Sequence, residues 1–158
     1  MYREHAPALY RYLVHLTGNV DTAEDVVQET FMRLLETNPR DGAVRGWLFR
    51  VATNVSRDDG RRRTRHARLL AAAPRDAATG DDPRDPGALL ASAEHQRMVR
   101  AALATLPERD RIVLLMREEG FSHAEIAEAV GTTAKSVGTF IARALTRLAA
   151  SLPPEVER

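Results

Sequence analysis

Apolar positions recur at helical spacing along most of the chain and strict alternation persists nowhere, so the pattern predicts an all-α protein. From Tyr2 to Thr17 the residues Leu9, Tyr12, Leu13 and Leu16 share one side of a first helix, which Gly18 and Asn19 close. In a second helix Asp21 and Glu24 spell a capping box, and Val26, Val27, Thr30, Phe31 and Leu34 face inward. Asn38-Pro39-Arg40-Asp41-Gly42 breaks the pattern, and a third helix begins near Val44. Its inward stripe is Trp47, Leu48, Val51, Ala52 and Val55, while Phe49, Arg50, Thr53, Asn54 and Arg57 project elsewhere. Beyond Arg68 the periodicity dissolves into a stretch rich in Ala, Asp, Pro and Gly, read as a flexible linker. Helix returns from Ala93 to Leu106 with Met98, Val99, Ala102 and Leu103 as its stripe, and Pro107 opens another at its first turn. In that helix the run Ile112 to Met116 is wholly apolar, which makes it the centre of a second core.

The stretch from Phe121 to Leu148 then spells two short helices across a tight turn. Ser122 with Glu125 forms a capping box, Ile126, Ala127 and Val130 repeat at helical spacing, and Gly131 supplies the turn. Thr132 or Thr133 can cap the next helix, whose apolar stripe is Ala134, Val137, Ile141, Ala144, Leu145 and Leu148. Lys135, Ser136, Thr139, Arg143 and Arg147 fall on the other side, with Phe140 at the edge, a set that mixes hydroxyls with long cations as a recognition helix requires. A helical hairpin that only packs would carry the same caps, and spacing alone leaves that alternative open. The expected organisation is a helical bundle over residues 1–68, a linker over 69–92, a four-helix domain with the helix-turn-helix over 93–152, and a tail over 153–158.

Charge sharpens this picture. The net charge is only +1, so any nucleic-acid surface must be local. Arginine outnumbers lysine by twenty-two to one, a bias read as coding composition, so clustering counts and identity does not. From Asp21 to Thr37 there are five acids and one base; from Val44 to Arg68 eight arginines oppose two aspartates. An aromatic among arginines and amides on the third helix (Phe49, Arg50, Asn54, Arg57, then Arg61 and Arg62) suits unpaired bases and phosphates. Two adjacent helices of opposite charge point to two different partners. The chain has no cysteine, and its five histidines are scattered, so neither a metal site, a cofactor nor an enzymatic constellation is expected. Charged residues interrupt the N-terminal apolar positions, which argues against a signal peptide or membrane insertion and for a cytoplasmic protein.

Together these segments resemble the extracytoplasmic-function class of bacterial RNA polymerase sigma factors, from about Leu9 to Leu148 with only the linker outside. The residues that carry the resemblance are AEDVVQETFMRLLE from Ala23 to Glu36, RGWLFRVATNVSRDDGRRR from Arg45 to Arg63, and ALATLPERDRIVLLMREEGFSHAEIAEAVGTTAKSV from Ala102 to Val137. The resemblance implies that the acidic helix docks on a coiled coil of the core RNA polymerase, which implicates Asp21, Asp25, Gln28, Glu29, Met32 and Glu36. It implies that the basic helix and the loop before it melt promoter DNA and hold the non-template strand, which implicates Arg45, Arg50, Asn54, Arg57, Arg61 and Arg62. The C-terminal helix would read a more distant promoter element in double-stranded DNA through Thr132, Thr133, Lys135, Ser136, Thr139, Phe140, Arg143 and Arg147. An anti-sigma factor is a further partner the class makes plausible.

The chain departs from that class after the turn. Relatives carry a Val-Lys-Ser-Arg-Leu run where this sequence has Val137-Gly138-Thr139-Phe140-Ile141, so two cations are missing. A good bidentate base contact discriminates by about 1–3 kcal/mol, which leads to the expectation of a softer or altered element. Gly138 costs about 1 kcal/mol of helix propensity against alanine, which suggests that backbone or DNA approaches closely there. The alternative function is a stand-alone helix-turn-helix regulator acting without polymerase, which would favour palindromic sites.

Overall fold

The computed structural model describes the backbone of residues 2–40, 42–69 and 90–152, and the side chains of 2–40, 42–60 and 93–152. Most of the expected linker, the tail after Leu152 and the side chains of Arg61 and Arg62 lie outside the described residues. Seven helices and no strand occur among the described residues: α1 (Tyr2–Thr17), α2 (Val20–Thr37), α3 (Val44–Leu69), α4 (Leu90–Ala104), α5 (Glu108–Glu118), α6 (His123–Val130) and α7 (Ala134–Ser151). They fall into two compact units, with α1 to α3 in the first and α4 to α7 in the second.

In the first unit each helix packs against the other two. Leu9, Leu13 and Leu48 are fully buried, and Val26, Val27 and Leu34 of α2 close the core as their spacing predicts. Fully burying one such side chain contributes about 1.5–3 kcal/mol. Turn chemistry fixes the helix ends. Gly18 adopts φ +71° and donates to the Val14 carbonyl, ending α1. The start of α2 corrects the expected cap: Asn19, and not Asp21, is the N-cap, its side chain accepting from the Thr22 N–H at 3.0 Å. Asp21 thereby lies inside the first turn, where its charge still favours the helix N-terminus. At the other end Asn38 takes the left-handed conformation and donates to Leu34 O before Pro39 stops the helix.

A second correction concerns the rotation of α3. Phe49 is 1% exposed and Thr53 0%, whereas Trp47, Val51 and Val55 are only half-buried. Val44, Leu48, Phe49, Ala52 and Thr53 therefore make the packed face. The Phe49 ring tilts against Tyr12 with centroids 5.1 Å apart, and the Tyr12 hydroxyl meets Thr53 Oγ1 at 2.7 Å. The threonine in turn donates to Phe49 O at 2.6 Å. An aromatic partner for Phe49 and a hydroxyl partner for Thr53, both from one tyrosine, outweigh the β-branched valines that periodicity alone selects.

The second unit centres on α5, where Ile112, Val113 and Met116 are at most 1% exposed. Pro107 precedes α5 as its N-cap rather than occupying the first turn. The end of α5 is a Schellman arrangement: Gly120 at φ +93° donates to Arg117 O, and Phe121 donates to Met116 O. Phe121 is fully buried, so the same turn that ends α5 anchors the start of the helix-turn-helix.

Phe49→Ala is expected to lower the stability of the first unit by about 3–5 kcal/mol, read as a shifted urea midpoint. A base-stacking surface aromatic would instead change the stability by no more than about 0.5 kcal/mol.

Candidate nucleic-acid interface

The helix-turn-helix is built by local hydrogen bonds that the sequence dictates. Ser122 Oγ accepts from the Glu125 N–H at 3.1 Å and Glu125 Oε1 accepts from the Ser122 N–H at 3.0 Å. Gly131 turns the chain at φ +74° and donates to Ala127 O, as does Thr132. Of the two candidate caps for α7, Thr133 performs the task, its Oγ1 accepting from the Ser136 N–H at 3.1 Å and donating to Ser136 Oγ at 2.9 Å. Ile126, Val130, Val137 and Ala144 lock α6 against α7 inside the unit.

The predicted polar and cationic contacts of α7 divide into two groups. Lys135 and Thr139 are exposed and Ser136 is half-buried, all at the N-terminal end, where a helix entering a groove presents its contacts. Arg143 and Arg147 are committed elsewhere. Asp110 of α5 is 0% exposed and accepts from Arg143 Nη2 at 2.7 Å, Arg143 Nε at 3.2 Å and Arg147 Nη1 at 2.9 Å. Hydrogen bonding to Asp110 raises the Arg143 guanidinium's affinity for its proton above the ordinary value; desolvation opposes this in part and the carboxylate's charge adds to it. Phe140 is half-buried, with the guanidinium of Arg143 5.0 Å from its ring centroid and that of Arg109 5.2 Å from it. Sequence reading missed Asp110. The signal was present: Asp110 stands three and four residues before Val113 and Leu114, on the buried side of α5, and an acid there requires a cation.

Gly138 also has a plainer environment than expected. The nearest atoms to an added Cβ belong to the His123 ring, at 3.7 and 3.8 Å, which is ordinary contact. No backbone approaches it among the described residues.

In the first unit the charges separate between helices. Asp21, Asp25, Gln28, Met32 and Glu36 are exposed on α2, and Glu29 is half-buried, paired with Arg33 at 3.0 Å. Leu35, which periodicity did not single out, is 84% exposed, and Met32 60%. Asp21, Asp25, Gln28, Met32 and Leu35 follow one another at alternating steps of four and three, the spacing of a coiled-coil seam. On α3 Asn54 is exposed, Arg50 and Arg57 are half-buried, and Arg45 lies with its guanidinium 5.6 Å from the Phe49 ring. Phe49 itself is removed from the candidate base-stacking set by its burial. A cleft of about 340 Å³ between α2 and α3 is lined by Asp25, Val26, Glu29, Arg33, Val55, Asp58 and Asp59, which puts acids between the two candidate surfaces. Among the described residues no group of acids and histidines has metal-binding geometry, and no helix is long and apolar enough to cross a membrane.

A three-helix unit followed by a second unit ending in a helix-turn-helix defines the class. The model of sigma-70 region 2 matches residues 1–66 and that of sigma-70 region 4 matches residues 96–148. The chain is 33% identical to the ECF RNA polymerase sigma factor SigL of Mycobacterium tuberculosis, over 92% of this chain and 84% of that protein. It is 33% identical to SigE of Mycolicibacterium smegmatis, over 92% of this chain and 58% of that one, and 31% identical to SigG of M. tuberculosis, over 95% and 47%. It thus spans roughly half the length of those last two. The fold is similar to that of a chain in the solved complex of the sigma factor RpoE with the anti-sigma factor NepR from Bartonella quintana, with a TM-score of 0.77 at 24% identity over 92% of this chain and 89% of that one. The chain belongs to the ECF RNA polymerase sigma factors.

Gly138→Ala is expected to stabilise the second unit by about 0.5–1 kcal/mol, because the methyl finds room beside His123 and α7 gains propensity. Ser122→Ala is expected to destabilise it by about 1 kcal/mol through loss of the capping box. Thermal melting of each variant checks both signs.

Proposed function

We propose that the chain is an alternative sigma factor, a non-enzymatic cytoplasmic subunit that binds core RNA polymerase and directs it to a set of promoters. The observation that carries this is the pairing of an acidic ridge with heptad spacing on α2 and an arginine-rich helix directly after it. A seam of Asp21, Asp25, Gln28, Met32 and Leu35 suits a helical partner, its apolar end supplying contact area and its acidic end orientation. Glu29 and Glu36 flank it. Core polymerase is the proposed occupant, and an anti-sigma factor competing for the exposed Met32 and Leu35 is a natural regulator.

On α3 the proposed contacts are Arg45, Arg50, Asn54, Arg57, Arg61 and Arg62, holding the non-template strand once it is melted. No catalytic group is required, because the trapped single strand itself supplies the free energy of opening. Lys135, Ser136, Thr139 and the turn residues Thr132 and Thr133 are the proposed contacts to the distant double-stranded element. The proposed domain limits are 1–68 and 93–152, with residues 69–92 between them in the sequence. A stand-alone regulator would leave the exposed ridge of α2 without a use.

The chain is expected to co-elute with core polymerase and to restore initiation from a duplex promoter. A Gln28→Lys, Met32→Asp double variant is expected to keep its helicity and lose at least ~10-fold in core affinity, about 1.4 kcal/mol. Unchanged affinity in the folded variant would contradict docking through α2.

A further inference from the structure

We propose that Asp110 is an internal counter-anion that withholds Arg143 and Arg147 from DNA, leaving the N-terminal turns of α7 to hold the duplex. The proposal rests on DNA binding by the second unit and adds which cations take part. Three N–H groups from two arginines one turn apart converge on a carboxylate that is 0% exposed, at 2.7, 2.9 and 3.2 Å. The arginine side chains are 44% and 47% exposed, so their stems cross the surface while their ends point inward to α5. The face of the Arg143 guanidinium is also shared with Phe140.

Two anions compete for these guanidiniums. A DNA phosphate is met at the surface, in water and salt, where one contact gains little. Asp110 sits out of water, and stripping its partners would leave a buried, uncompensated charge, which is strongly disfavoured. The carboxylate therefore keeps both arginines when DNA arrives. The cluster of two arginines and one aspartate presents a net single positive charge where the two arginines alone would present two. Lys135 has no ion pair among the described residues, and it lies at the end of α7 that a groove receives.

The salt dependence of binding separates a withheld arginine from a phosphate-bound one, because each phosphate contact contributes ~0.9 to the slope of log K against log salt. Full-length chain is titrated onto a labelled mixed-sequence duplex across a potassium chloride series. Asp110→Asn is expected to bind more tightly, with a slope steeper by ~0.9 for each arginine that reaches a phosphate. Arg147→Gln, which leaves Asp110 paired with Arg143, is expected to leave the slope unchanged. A slope lower by ~0.9 in Arg147→Gln would place that arginine on a phosphate and overturn the proposal. So would an unchanged slope in Asp110→Asn that circular dichroism finds folded. If Asp110→Asn unfolds, the Arg147→Gln arm decides alone. An unaltered chain that shows no salt-dependent binding would contradict DNA binding itself, a failure visible before any variant is compared.

Discussion

The contact of Tyr12 with Phe49 and Thr53 decides what the first unit can offer to partners. A helix in a three-helix bundle must give one stripe to its neighbours and has only the remainder for other surfaces. By taking Phe49 as a ring partner and Thr53 as a hydroxyl partner, Tyr12 turns α3 so that Asn54 stands outward and Arg50 and Arg57 flank it. The packing of Phe49 and Thr53 thus also sets which residues of α3 remain outward. The same logic governs α7, where burial of Asp110 selects which arginines belong to the fold.

Much of this was legible in the sequence because local rules were strong. The capping box of Ser122 and Glu125, the turn at Gly131, the stop at Asn38-Pro39 and the apolar run of α5 each act over a few residues, and each is found where its residues stand. What periodicity could not resolve was the choice between neighbouring stripes on an amphipathic helix. On α3 two stripes overlapped, and only the tertiary partner on α1 distinguished them. Asn19 displaced Asp21 as the cap because both are good caps two residues apart, and Gly18 had already ended α1 beside it.

The charged residues were harder to place for a different reason. An arginine read from sequence carries a charge but no address, and long side chains reach buried acids as readily as solvent. Arg143 and Arg147 sit at helical positions that look outward, yet their ends turn to α5. Leu35 presents the converse case. Nothing in the periodicity of α2 marks it, and its exposure completes a seam that begins with two aspartates. Exposed apolar residues at coiled-coil spacing are informative because a monomer gains nothing from leaving them in water.

The account therefore turns on two faces of one small bundle facing two kinds of molecule. Photo-crosslinking residues placed singly at positions 28 and 54, both exposed, test this most directly in a complex of the chain with core polymerase and promoter DNA. Position 28 is expected to mark polymerase protein and position 54 to mark the non-template strand, with no exchange between them. Adducts to DNA from position 28, or to polymerase protein alone from position 54, would contradict the division.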